Sequence, residues 1–573
     1  MVNTQLPRPF LRGEVARRPA TRRKSWRGGG EGFSRRAGET PHPRSARPLP
    51  LKRGEVSSVK VFLLAFWCSF VSCATALAGS PPKLIVIVVG DQIRADYLER
   101  YHDALEPGGL RRFRDQGMYF THALMDHAVT KTSPGHVLIG SGVSPAQSGI
   151  VGNDWYDASL GHAVSAAELV PGGRRVQLRW FVGSSLAQRI HASRPQSRVI
   201  SLSLKDRGAL LLTGPDQDGA YWWDSDKQDF VNYSSIPPPW LVQFNRQIRS
   251  FARQHKKWNA LTGVTSKQAR DFAETAKLTK GHIKDRWGLG RKFPHPVPSI
   301  KALMNSPFSD DIVEQLAETA VREWHLGQNP SGDPDVLTVS FSAVDLVGHE
   351  YGPDSREVMD AFLRLDRAVG KLIRSLEQQV GPDIIWVFSS DHGVTSFPEV
   401  SRARGLPAGR VRFNKAAISP EGLVEAVSPP FIYMNEAVLR GQPQKRAQAV
   451  AQVRDGLQRM EGVDKVYTVI DVEGRQAPRV ILRSFYLPKA GEVKRCGDLM
   501  VILKPYYIFS EDDYGTTHGQ PTPDDQRVPL GFYGSGIKRS LHEEPVSPAM
   551  VAPTLLKLLD IPASDLAAPA AIF

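Results

Sequence analysis

Five short apolar runs rich in β-branched residues recur along the chain: Lys83–Val89 (KLIVIVV), Val199–Leu204 (VISLSL), Val336–Phe341 (VLTVSF), Ile384–Phe388 (IIWVF) and Leu499–Leu503 (LMVIL). Runs of this length without polar alternation are expected of strands buried on both faces. Helical patterns lie between several of them. Over Arg356–Gln378, apolar Met359, Phe362, Leu363, Leu365, Val369 and Leu372 return at helical spacing. Strands alternating with helices predict an α/β fold with a mainly parallel central sheet and helices on both faces. The pattern loosens over about 154–334, where pieces such as Ala220–Asp224 (AYWWD) and Ser235–Trp240 (SIPPPW) predict a cap insertion beside a site. A second irregular stretch, Glu399–Pro429, reads as surface loops, and Gln442–Ile470 as a small α+β piece.

Composition adds a boundary. The chain is 41% hydrophobic and 23% charged, as folded globular proteins are, which excludes disorder throughout. A net charge of +14 invites a nucleic-acid partner, but residues 1–60 hold 15 Lys or Arg against 4 Asp or Glu, and about +3 is left for all the rest. The charge belongs to a basic, Gly- and Pro-rich leader over 1–58 that has no apolar periodicity, so no nucleic-acid partner is expected. Residues 59–78 follow as a signal peptide: Lys52, Arg53 and Lys60 precede an apolar run that ends in Ala76-Leu77-Ala78. An uncleaved N-terminal anchor is the alternative reading. A long leader before a signal also points to a translation start near Val56 or Val59. The expected location is periplasmic or secreted, without membrane attachment after cleavage, and residues 79–573 form the catalytic domain. Cys68 and Cys73 fall in the signal, which leaves Cys496 alone, without an intramolecular disulfide and read as a small buried residue.

Candidate chemistry gathers at the ends of the apolar runs. Asp91 follows the first, Asp345 and His349 the third, and Asp391-His392 the fourth, while His518 sits in the loop sequence YGTTHGQP. Each alone has a bland reading, as a helix cap for the aspartates or a satisfied histidine. Together, three Asp and three His without a ligating Cys suit zinc in an open, catalytic sphere. The four-residue step from Asp345 to His349 lets both side chains share one side of a helical turn. Thr132 in KTSPGH precedes a segment whose Pro134 predicts a helix start, where backbone N–H groups can receive a phosphate oxygen. Read alone, Thr132 is a helix cap; beside metal ligands it becomes a candidate nucleophile, since a coordinated hydroxyl loses its proton without a general base. His136 is read as structural.

The ordered set GDQIRADYL, TSPGHVLIGSGVSPAQSGIVGNDWYD, DLVGHEYGPDS, SSDHG and TTHGQP resembles the alkaline phosphatase superfamily, and within it the threonine-nucleophile bacterial alkaline phosphatases of the PafA type. The resemblance implies two Zn2+ per chain, one held by Asp91, Thr132, Asp391 and His392, the other by Asp345, His349 and His518. It implies hydrolysis of phosphate monoesters through a phospho-threonine on Thr132, with small phosphorylated substrates and a monomeric chain. Asn153, Lys205 and Arg207 match the residues that bind the phosphoryl group there. Sulfatases of the superfamily need a modifiable Cys or Ser and a following Arg, both absent here. Nucleotide pyrophosphatases and phosphodiesterases are the rival reading; they typically carry Asn where Gly135 stands and lack the Lys-x-Arg pair.

Overall fold

The computed structural model describes residues 82–566 apart from 235, 414, 420 and 564, so the segments expected to be a basic leader and a signal peptide lie outside the described residues. Nine strands make the central sheet: β1 (Leu84–Gly90), β2 (Met118–Leu124), β3 (Val199–Ser203), β4 (Gly219–Asp224), β5 (Asp229–Asn232), β6 (Asp335–Phe341), β7 (Ile384–Ser389), β8 (Arg527–Gly534) and β9 (Ser540–His542). Side by side they run β9-β2-β8-β7-β1-β6-β3-β4-β5. The strands β7, β1, β6, β3 and β4 are parallel. Antiparallel β8 closes one flank and antiparallel β5 the other.

Five helices matter for the site: α1 (Thr132–Ser141), α2 (Asp206–Leu211), α3 (Phe308–Trp324), α4 (Ala343–Tyr351) and α5 (Arg356–Val380). Alternation along β1 shows why the sheet is covered twice. Leu84, Val86 and Val88 pack into a core shared with α3 and α5. Ile85, Ile87 and Val89 face a second core with Leu138 and Ile139 of α1 and the helix Val551–Leu558. The six apolar positions expected on the inner face of α5 are all buried.

Two expectations change. Leu499–Leu503 is a strand, but of a separate four-stranded sheet, antiparallel to Phe431–Met434 and to Val463–Thr468. Burial on both faces gives the same apolar run in either setting, so periodicity does not tell the two apart. The expected insertion over 154–334 divides: β3, β4 and β5 join the central sheet and α3 covers it, while Pro239–Gln254 and Ser266–Thr279 form helices outside the sheet. The aromatic run of β4 accordingly supplies core, with Tyr221 and Trp223 buried. Cys496 is buried as expected, and burial pushes its thiol up to about 12.

Candidate active site

Parallel pairing brings the separated motifs together. Val89 of β1 is level with Ser389 of β7, Gly90 with Phe341 of β6, and Ser340 of β6 with Ser203 of β3. Asp91, Asp391-His392, Asp345 and Lys205 all follow those ends, at the carboxyl edge where open α/β sheets hold ligands. Asp345 and His349 share one face of α4, with His349 Nε2 3.1 Å from Asp345 Oδ1. His518 comes in on a loop, its ring stacked 3.5 Å from that of His392.

The three imidazoles are oriented alike. Nδ1 of His349 lies 2.8 Å from the Thr516 carbonyl, that of His392 2.9 Å from Gly393, and that of His518 2.6 Å from Thr130. A carbonyl only accepts, so each Nδ1 carries a proton. On His392 and His518 this leaves Nε2 with its lone pair toward the cluster, the usual support of a metal-ligating histidine. Burial would lower the imidazole of His349, yet the Asp345 carboxylate beside its Nε2 raises it above its ordinary value. Two triads follow, Asp91 with Asp391 and His392, and Asp345 with His392 and His518, each with its donor atoms within 4.8 Å of one another. His392 thus stands between the triads. His349 joins through Asp345 alone among these carboxylates.

The donor set fits cations. Asp91 Oδ1 and His392 Nε2 are buried without a hydrogen-bond partner, a costly state for acceptors facing one another, and Asp391 Oδ2 beside them has His136 Nδ1 at 3.2 Å. Burial, with Asp345 and Asp391 nearby, raises the Asp91 carboxyl well above its ordinary range. Burial would raise Asp345 as well, yet Lys205 and His349 hold it well below the usual carboxylate range. Burial lowers His392 and His518, keeping both neutral. A positive charge already sits there: Lys205 Nζ donates to Asp91 Oδ2 at 2.6 Å and to Asp345 Oδ2 at 2.5 Å.

Thr132 is the first residue of α1, and Lys131 is the cap. Helix α1 presses against the Asp391 side of the cluster: a Cβ on Gly135 would lie 2.2 Å from the Asp391 carbonyl oxygen. Asn153 Oδ1 accepts from Ser133 N at 2.8 Å, which sets its amide at the start of the same helix. Arg207 lies in the first turn of α2, its guanidinium near Asp206 at 3.7 Å.

Sequence reasoning left out the residues that hold these groups. Gln92 donates from its backbone N–H to Asp391 Oδ1 at 3.2 Å and from its side chain to Asp345 Oδ1 at 2.8 Å, linking the two triads. Its φ of 67° is the left-handed turn that lets one residue serve both. His136, read as structural, lies with Nδ1 2.9 Å from the Thr132 carbonyl and 3.2 Å from Asp391 Oδ2. Asp525 accepts from Gly519 N and Gln520 N at 3.0 Å each, anchoring the loop of His518. Adjacency to Asp91 was the one available signal for Gln92; nothing local marks Asp525.

A family model described as type I phosphodiesterase / nucleotide pyrophosphatase matches residues 84–524, most of the chain. The chain belongs to that family. With it comes membership of the alkaline phosphatase superfamily, and both ends of the match bracket the cluster described above. Over nearly its whole length the family member resembles alkaline phosphatase PafA of Elizabethkingia meningoseptica, 29% identical over 84% of this chain and 92% of that protein. A Myroides odoratus protein named a calcium-transporting ATPase is 28% identical over 88% of this chain and 96% of its own length. The crystal structure of wild-type PafA superposes with a TM-score of 0.75 at 26% identity, covering 86% of this chain and 99% of that one. A variant of PafA, equally similar, carries substitutions of a threonine, an asparagine, a lysine and an arginine. No helix among the described residues is long and apolar enough to cross a membrane.

Proposed function

We propose that this phosphatase hydrolyses phosphate monoesters with two zinc ions, through a phospho-threonine formed on Thr132 and released as inorganic phosphate. The enzyme class rests on the full-length alkaline phosphatase relatives. The single observation that carries the rest is the pairing of two metal-type triads with a helix N-terminus that opens on Thr132. In the PafA variant the threonine stands as far before the asparagine as Thr132 before Asn153, and the lysine as far before the arginine as Lys205 before Arg207, which supports the same roles here.

Zinc, when bound, would supply the positive charge that ionises the nucleophile and stabilises the departing oxygen. Asp91, Asp391 and His392 would hold it beside Thr132, and Asp345, His349 and His518 on the other side. Thr132 Oγ1 attacks phosphorus in line as the bond to the alcohol oxygen breaks, and the alcohol leaves on the far side, toward His349. Water then attacks the phosphorus, the Thr132 Oγ1–phosphorus bond breaks, and the hydroxyl and free phosphate are restored. The N–H groups that begin α1, with Asn153, receive phosphoryl oxygens. Lys205 competes with metal for Asp91 and Asp345; its flexible stem lets the ammonium turn to the phosphoryl oxygens instead. Arg207 completes the recognition of a dianionic group, the feature that separates monoesters from diesters. Exported, monomeric protein is the form in which we expect this activity.

Comparison of rates on p-nitrophenyl phosphate and bis-p-nitrophenyl phosphate tests the reading. Faster turnover of the monoester is expected; faster diester cleavage would instead select the phosphodiesterase activity in the family's name.

A further inference from the structure

Beyond His349 a cavity of about 440 Å³ opens between the segment 284–287 and the loop 509–517. It is a built feature. Gly515 N donates to the His282 carbonyl at 2.8 Å, Thr516 N to the His349 carbonyl at 3.0 Å, and Asp285 N to Glu350 Oε1 at 2.5 Å. The loop that carries His518, the helix that carries His349 and a segment more than 200 residues upstream of that loop are thereby bound into one rim.

Its walls have a definite chemistry. Trp287, Leu346, Phe509 and Tyr514 supply apolar and aromatic surface. Lys301 sits 4.8 Å from the centre of the Trp287 ring and covers one face of it. The cations at the rim are spoken for: Lys284 pairs with Asp512 at 2.8 Å and Arg286 with the same carboxylate at 3.5 Å, while Glu350 and Glu511 add negative charge. The three acidic side chains of the lining, Asp512, Glu350 and Glu511, outnumber its two cations, Lys284 and Arg286, and Lys301 is turned onto the Trp287 ring, so a leaving group carrying further phosphates finds no surplus of positive charge there.

We infer that this cavity receives the alcohol part of the substrate and selects flat, aromatic, uncharged leaving groups over small alkyl or multiply anionic ones. The inference rests on the proposed reading of the site, in which in-line displacement drives the alcohol away from Thr132. Helix α1 abuts the Asp391 side of the cluster, so the opposite side is that of His349 and the cavity.

The test measures kcat/KM for wild type, Trp287→Ala, Trp287→Phe and Tyr514→Ala on 2-naphthyl phosphate, ethyl phosphate and ATP, comparing each variant with wild type on the same substrate. That removes the intrinsic reactivity of the leaving group. Loss of one aromatic contact should lower the naphthyl ester by about ten-fold, with a much smaller fall on ethyl phosphate and ATP, and Trp287→Phe should recover most of it. Competition by free 2-naphthol should weaken in the same two alanine variants. Equal losses on naphthyl and ethyl esters would overturn the cavity's role, as would an equal loss on ATP. A wild-type chain that frees phosphate from none of the three would instead sink the phosphatase reading itself.

Discussion

The cluster at the strand ends and the cavity beyond His349 touch, yet they are built on opposite terms. Asp91, Asp391 and His392 are fully buried, and each follows a strand hydrogen-bonded to its neighbours along its length. The cavity is made by two loops and a helix, and Lys284, Arg286 and Asp512 at its rim are about half exposed. Ion pairs at such exposure contribute about 0–1 kcal/mol each. Position is therefore expensive to change in the cluster and cheap to change in the cavity. Reaction type follows from the first and choice of alcohol from the second, as when catalytic groups sit on a rigid scaffold and recognition on loops.

The hardest blow to the cluster is Thr132→Ala. We expect kcat for p-nitrophenyl phosphate to fall by roughly 10³-fold or more while zinc content stays unchanged; retained turnover would move the nucleophile elsewhere. Chelation comes next. Dialysis against a strong chelator should abolish activity and added zinc restore it, with metal analysis returning about two ions per chain. A return of iron or calcium would change the assignment of the metal. Lys205→Ala combined with Arg207→Ala should then cost about 10²-fold on the monoester and far less on the diester; parallel losses would remove the pair as the discriminator.

The smallest effect concerns the scaffold. Asp310 on α3 accepts from Ser342 N at 3.2 Å and Ala343 N at 3.1 Å, holding the start of α4. Burial pushes its carboxyl up to about 8, and its Oδ2 has no partner. The folded state therefore keeps a proton that the unfolded chain releases near its ordinary value. The stability tied to that proton is complete below about pH 4 and is lost as pH rises to about 8. Asp310→Asn retains the acceptor and cannot ionise. Its melting temperature should gain on wild type between pH 4 and 8, by roughly 1–3 kcal/mol in stability. A constant difference across that range would show that Asp310 does not titrate there.

Much of the sheet was legible because strands buried on both faces announce themselves as unbroken apolar runs. Flanking β2 and β8 escaped notice: MYFTHAL and RVPLGFYG mix polar residues with apolar ones, and their pairing is antiparallel. In the site, the residues with metal-type chemistry were visible from type and strand-end position. Gln92, Thr130 and Asp525 were not, because they work through backbone groups and hydrogen bonds to distant loops. Trp287 and Tyr514 lie more than 200 residues apart and meet only through folding, so no local pattern marks the cavity.

Gly135 leads to a different kind of conclusion. The space for a side chain at that position is filled by the main chain at Asp391, 2.2 Å from where a Cβ would stand. An asparagine there, as the diesterase branch typically has, requires helix α1 or the turn after β7 to move before it can help. Any side chain introduced at residue 135 has to come with a shift of helix α1 or of the backbone at Asp391, so that position and the turn holding two of the proposed metal ligands can change only together.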